Sequence, residues 1–138
     1  MTVTVRYAKS ESYSALASGM PSRPYIAVRL QSGGRHVDTM GLVDSGADTT
    51  IFHEDFATPL GLVLDPSLAR PVSGIGGGAP AWFFDLYLSA AGKRFRAEIG
   101  FSQGVPREFG LLGRADFFMA FNVGFSQRTS QFLLHPLP

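Results

Sequence analysis

Two long runs of strict two-residue alternation limit what this chain can become. Ile26, Val28 and Leu30 alternate with Ala27, Arg29 and Gln31, and Trp82, Phe84, Leu86 and Leu88 alternate with Phe83, Asp85 and Tyr87. Residues two apart share a face in a strand but not in a helix, so both runs predict half-buried β-strands. Each run leads into a turn and a second strand. Ser32-Gly33-Gly34 turns the chain into a strand through Val43. Ala90 to Lys93 turns it into Phe95, Ala97, Ile99 and Phe101, which alternate with Arg94, Arg96, Glu98 and Gly100. Two hairpins are therefore expected. Sixteen glycines and nine prolines spread over 138 residues favour short strands joined by turns over long helices. The expected fold class is all-β, in one domain of ordinary size.

The remaining segments fill in around these hairpins. Val3, Val5 and Tyr7 alternate briefly, and a Ser-rich stretch from Ser10 to Ser22 then reads as a loop or arm, so residues 1–24 are set apart from a domain at 25–138. Thr49 to Phe52 is β-branched and apolar enough for another strand. His53 to Leu62 allows at most a short helical turn, broken by Pro59 and Gly61. Val72 to Pro80 is too glycine-rich to pack. Ala115 to Phe121 predicts a short helix, and Val123, Phe125, a polar turn at Ser126 to Ser130, and Gln131 to His135 predict a last hairpin.

Composition excludes several functions. Twelve Lys and Arg balance eleven Asp and Glu, which gives no basic footprint for nucleic acid or an anionic membrane. The lack of cysteine removes thiolate nucleophiles, disulfides and thiolate zinc sites. His36, His53 and His135 lie far apart without ligand spacing and read as surface or strand residues, so neither a metal nor a cofactor is expected. The first residues contain no apolar signal core and no run is long enough to span a membrane, so a cytoplasmic protein is expected. Gly74, Gly76 and Ala79 satisfy the dinucleotide fingerprint G-x-G-x-x-A, but that motif must open a helix, and the alternating run from Trp82 cannot be one. Phe117, Phe118 and Phe121 have the spacing of a helical core face. Lys93, Arg94 and Arg96 read as the solvated edge of a hairpin.

The chemistry concentrates in Leu42 to Phe52, LVDSGADTTIF. Asp44 follows an apolar strand, where a carboxylate is costly unless donors meet it or it shares a proton. An Asx turn is the simpler use of an aspartate before a glycine. The neighbouring residues also suit a reactive site: Ser45 brings a hydroxyl, Gly46 lets N–H groups come close, and Ala47 leaves space.

This stretch resembles the catalytic loop of the retropepsin-like aspartic proteases, the single-domain retroviral type. Two further motifs stand in the family's order: Gly74-Ile75-Gly76-Gly77-Gly78 resembles the flap tip, and Leu111-Leu112-Gly113-Arg114 resembles the step before the C-terminal helix. The resemblance covers about Tyr25 to His135 and implies a closed-barrel-like acid-protease fold with one short C-terminal helix, acting as a homodimer. It implies that Asp44 is catalytic, that the Ser45 hydroxyl ties the two active-site loops together, and that Gly46 presents its backbone to substrate, with Ala47 beside it. Asp48 and Arg114 would form a partly buried structural ion pair. Gly74, Ile75, Gly76 and Gly77 would form the flap over an extended peptide, and Phe109 would line a side-chain pocket. Ser45 replaces the usual threonine of retroviral members and keeps its hydroxyl.

Hydrolysis by carboxylates needs two of them, one ionised and one protonated. Only Asp44 stands before a hydroxyl residue and a glycine. Asp38, Asp55, Asp65, Asp85 and Asp116 lack that context, so a second copy of the chain must supply the other carboxylate. The alternative is a non-catalytic dimeric peptide-binding or scaffolding module on the same fold.

Overall fold

The computed structural model describes residues 1–72 and 78–138. Its strands are β1 (Lys9–Ser12), β2 (Tyr25–Ser32), β3 (Arg35–Val43), β4 (Thr50–His53), β5 (Arg70–Pro71), β6 (Pro80–Ala90), β7 (Lys93–Ser102), β8 (Gly110–Leu112), β9 (Phe121–Ser126) and β10 (Gln131–Pro136). A single α-helical turn, α1 (Phe117–Ala120), precedes β9.

The two predicted hairpins are β2–β3, from Tyr25↔Leu42 to Ser32↔Arg35, and β6–β7, from Ala81↔Ser102 to Ala90↔Lys93. Both bury alternate residues, as period two requires: Val28, Leu30, Leu86 and Leu88 are buried while Arg29 is exposed. The larger sheet runs β2-β3-β8-β4-β7-β6-β5, and the late part of β6 also pairs with β2, from Val28↔Ala90 to Gln31↔Tyr87. That extra pairing closes the sheet into a barrel and leaves β5 beside the early part of β6. The hairpin base at β5–β6 ends with Val72 N donating to Ala79 O at 3.3 Å. The predicted flap residues Gly74, Ile75, Gly76 and Gly77 lie outside the described residues.

Leu30, Phe52, Leu88, Ile99, Phe101, Leu112, Phe117, Phe132 and Leu134 are fully buried in one core. Burying each of these large side chains contributes about 1.5–3 kcal/mol. Phe52 needs an empty position opposite it, because a Cβ on Gly110 would stand 2.3 Å from its ring. Phe117 and Phe121 are buried with ring centroids 5.0 Å apart and half-buried Phe118 packs against the same core, so the three aromatics are core residues, although Phe121 lies in β9 and not on a helix face.

Several details differ from expectation. The N-terminal strand is Lys9–Ser12, not the Val3 to Tyr7 alternation; Val3 and Val5 are exposed, and the serines pair with β10 from Lys9↔Leu134 to Ser12↔Gln131. A ladder is made by backbone groups, so a polar strand can join wherever an edge is open. The helix expected over Ala115 to Phe121 shrinks to one turn because Asp116 caps it and the chain becomes extended at Phe121. His53 to Leu62 makes two short 3-10 turns, Glu54–Phe56 and Thr58–Leu60, the second ended by Gly61 at φ 74°. Arg94 lies over the Tyr87 ring at the exposed hairpin face. Lys93 does not stay in solvent; its Nζ donates to Ala120 O at 3.3 Å and to Leu137 O, whose carbonyls lie beside the start of β7.

Candidate active site

β8 sets the geometry of the site. It runs parallel to β3, with Gly41↔Gly110 and Val43↔Leu112, and antiparallel to β4 at Ile51↔Leu111. The chain leaving β3 must therefore pass over the end of β8 to reach β4, and Asp44 to Thr49 make that crossing. Asp44 stands at its start, half-buried, with its N–H donating to Leu112 O at 3.1 Å. The turn closes through Ala47 N to Asp44 O at 3.1 Å. Gly46 N donates to Asp44 Oδ1 at 2.9 Å, and a Cβ on Gly46 would sit 3.2 Å from that oxygen. Among the described residues, Asp44 Oδ2 accepts no hydrogen bond. Ser45 and Gly46 are exposed, and Ala47 is half-buried.

The segment after β8 turns back along the loop. Arg114 N donates to Ala47 O and Ala115 N to Asp48 O, each at 2.9 Å. Gly113 packs so closely that a Cβ would stand 2.4 Å from both the carbonyl carbon and the oxygen of Thr49, which is why glycine follows the two leucines. Arg114 Nη2 pairs with Asp48 Oδ1. The pair is not partly buried as expected: the two side chains are 61% and 77% exposed in the single chain. Both emerge at the rim, mostly open to solvent among the described residues.

Beside Asp44, Leu42 and Leu111 are register partners and both half-buried, while their neighbours Val43 and Leu112 fill the core. They leave an apolar shelf. Phe109 continues it and packs against Tyr25, with ring centroids 5.1 Å apart and the planes tilted by 59°. The loop carrying Phe109 is tied down by Arg107 Nε on Asp55 Oδ2 at 2.5 Å, and that guanidinium holds the Asp55 carboxyl below its ordinary range. Asp55 N in turn donates to Nδ1 of His53, a buried strand residue.

Sequence reasoning missed the polar contacts beneath the loop. Thr50 is fully buried; its Oγ1 accepts from Gly113 N at 3.0 Å and donates to Asp116 Oδ1. Asp116 Oδ1 also accepts from Phe117 N at 2.7 Å. Burial pushes the Asp116 carboxyl above its ordinary range, opposed by these two donors. An aspartate just before an apolar helical run is a capping signal, and a threonine inside an apolar strand must find a partner. The pairing itself joins positions 66 residues apart and leaves no local trace.

A groove of about 500 Å³ lies elsewhere, between β7, α1 and Pro138; Asp116 reaches it and Asp44 does not. No cluster of metal-ligating side chains occurs among the described residues, and no helix there is long and apolar enough to cross a membrane.

No protein-family model and no curated protein sequence matches the chain. Among solved structures, it is similar to the EIAV protease complexed with the inhibitor HBY-793, at 18% identity and a TM-score of 0.54, over 72% of this chain and 88% of that one. A six-strand barrel circuit through β2, β3, β8, β4, β7 and β6, one short helix, and this likeness together identify the architecture: the protein has the retropepsin fold.

Proposed function

We propose that the chain is one protomer of an aspartic endopeptidase, with Asp44 from each of two copies forming the catalytic pair. The reading rests above all on Asp44, a half-buried carboxylate at a strand end with one oxygen held by Gly46 N–H and the other free of donors among the described residues. Two such carboxylates brought together cannot both ionise, so they share a proton, as the paired aspartates of aspartic proteases do. The ionised member takes a proton from water, and the resulting oxygen attacks the scissile carbonyl carbon. The protonated member gives its proton to the carbonyl oxygen. As the C–N bond breaks, the member now protonated gives its proton to the leaving nitrogen and the other takes a proton from a hydroxyl of the tetrahedral intermediate, which restores the shared proton. Neither a metal nor a covalent intermediate is required.

An extended peptide fits this reading. Its main chain would bond as a strand along the cleft, its apolar side chains resting against Leu42, Leu111 and Phe109, and Gly74, Ile75, Gly76 and Gly77, which lie outside the described residues, would serve as the flap. Ser45 would meet its counterpart across the two-fold axis, with Gly46 and Ala47 lining the floor. The pair Asp48–Arg114 would brace the rim.

The test combines assembly and cleavage. Sedimentation at micromolar concentration should report about twice the 14.9 kDa chain mass. Asp44→Asn should leave that dimer folded and reduce cleavage of a diverse peptide library by about 10²- to 10⁴-fold or more. An intact parent dimer that cleaves no peptide from acidic to neutral pH would replace this reading with the peptide-binding module.

A further inference from the structure

One attachment of the Asp44 loop is built unlike the others. Asp44, Arg114 and Ala115 use main-chain N–H groups on main-chain carbonyls, which most residue types can supply. Thr50 instead makes a side-chain relay. Its hydroxyl has one proton, and since Gly113 N–H already occupies a lone pair at 3.0 Å, that proton goes to Asp116 Oδ1. Thr50 is fully buried, so its hydroxyl relies on these two protein partners and not on bulk water. The same Asp116 oxygen accepts Phe117 N–H at the start of α1. One carboxyl oxygen thus joins the far end of the loop, the glycine pressed against Thr49, and the first turn of the helix.

We propose that Asp116 is a positioning residue for Asp44. Acting through Thr50, it fixes how Gly113 to Ala115 lie against the loop, and Leu112 O, one residue upstream, holds the Asp44 N–H. The required feature is an acceptor at Oδ1, which asparagine also offers. The link to catalysis rests on the protease reading; the relay rests on the geometry alone.

Amide exchange on the full chain, followed residue by residue, tests the relay without any need for cleavage. Asp116→Ala and the volume-conserving Thr50→Val should each speed exchange at Gly113, Arg114 and Ala115 by about tenfold or more, with β2–β3 amides keeping parent protection. Asp116→Asn should restore the protection that Asp116→Ala loses. In cleavage assays kcat should fall in the Ala and Val variants with KM little changed, and Asn should recover it. If Asp116→Ala does not fold, Thr50→Val against Thr50→Ser makes the same comparison. Unchanged protection at the three amides in a folded Asp116→Ala or Thr50→Val variant overturns the relay. So does an Asp116→Asn variant that exchanges as fast as Asp116→Ala. A parent without cleavage counts against the protease reading, and the exchange pattern still decides the relay.

Discussion

The loop from Asp44 to Thr50 and the segment from Leu112 to Asp116 are joined by two polar side-chain links of opposite kind. One, Thr50 to Asp116, lies under the loop around a hydroxyl with no exposure to solvent. The other, Asp48 to Arg114, carries two formal charges and stands at the rim, mostly in solvent. By charge the outer link looks stronger. By environment the inner one matters more, because a buried polar group that loses its partner keeps the full cost of desolvation, whereas an exposed ion turns to water. The contrast shows that a charged motif residue need not carry the stability of its site.

The largest break in this arrangement should come from removing the space that lets the inner link form. Gly113→Ala places a methyl 2.4 Å from the Thr49 backbone, and backbone cannot swing aside as a side chain can. Its cost should reach or exceed the upper end of about 1–3 kcal/mol, read as a lower denaturation midpoint. A midpoint within error of the parent would mean that the two segments separate easily. Thr50→Val comes next. It keeps the volume but leaves Gly113 N–H and the Asp116 carboxyl short of a partner, for about 1–3 kcal/mol.

The pH dependence of Asp116→Asn sharpens the same point. Burial raises the folded carboxyl above the unfolded value of about 3.9, so in the window above that value the folded state holds more protons than the unfolded one. Stability from this group therefore falls as pH rises through the window and stays lower above it. The exposed carboxyls of Asp38, Asp55 and Asp65 are shifted the other way, by Arg29, Arg107 and Ser67 respectively, and weaken the fold only as pH drops through their lowered values. The amide that replaces the carboxyl in Asp116→Asn cannot ionise, so parent and variant should melt alike in acid, and the variant should gain on the parent toward neutral pH. Lys93, Arg96 and Glu98 line the groove that Asp116 reaches and are common to both proteins. Parallel melting curves across the range would mean that the donors to the carboxyl cancel its desolvation.

Much of this could be read in the chain before folding. The hairpins were legible because period two is written residue by residue, and the Asp44 loop because its hydroxyl, glycine and alanine follow the carboxylate directly. β1 was hidden because serines carry no hydrophobic signature, although their backbones complete a ladder with β10. The Thr50–Asp116 link was hidden by its separation of 66 residues, and Lys93 because its partners are carbonyls, which every residue has. Burial of the Asp48–Arg114 pair could not be read from charge, which says which residues attract but not whether water remains between them.

The smallest effect is expected at that outer pair. Arg114→Ala removes a guanidinium whose partner is 77% exposed, so the protomer should lose only about 0–1 kcal/mol, less at high salt. The backbone bonds of Arg114 N and Ala115 N to the loop survive the substitution, which is a further reason for a small loss. Measuring the same variant by denaturation at low concentration and by dissociation of the proposed dimer separates two outcomes. If the rim stays open in the assembled protein, both readouts should move little. If a second copy covers the rim, dissociation should be sensitive where protomer stability is not, since a carboxylate buried without its partner costs about 3–5 kcal/mol. A loss of that size in the protomer alone would reverse the comparison, making the outer pair the one that holds the loop.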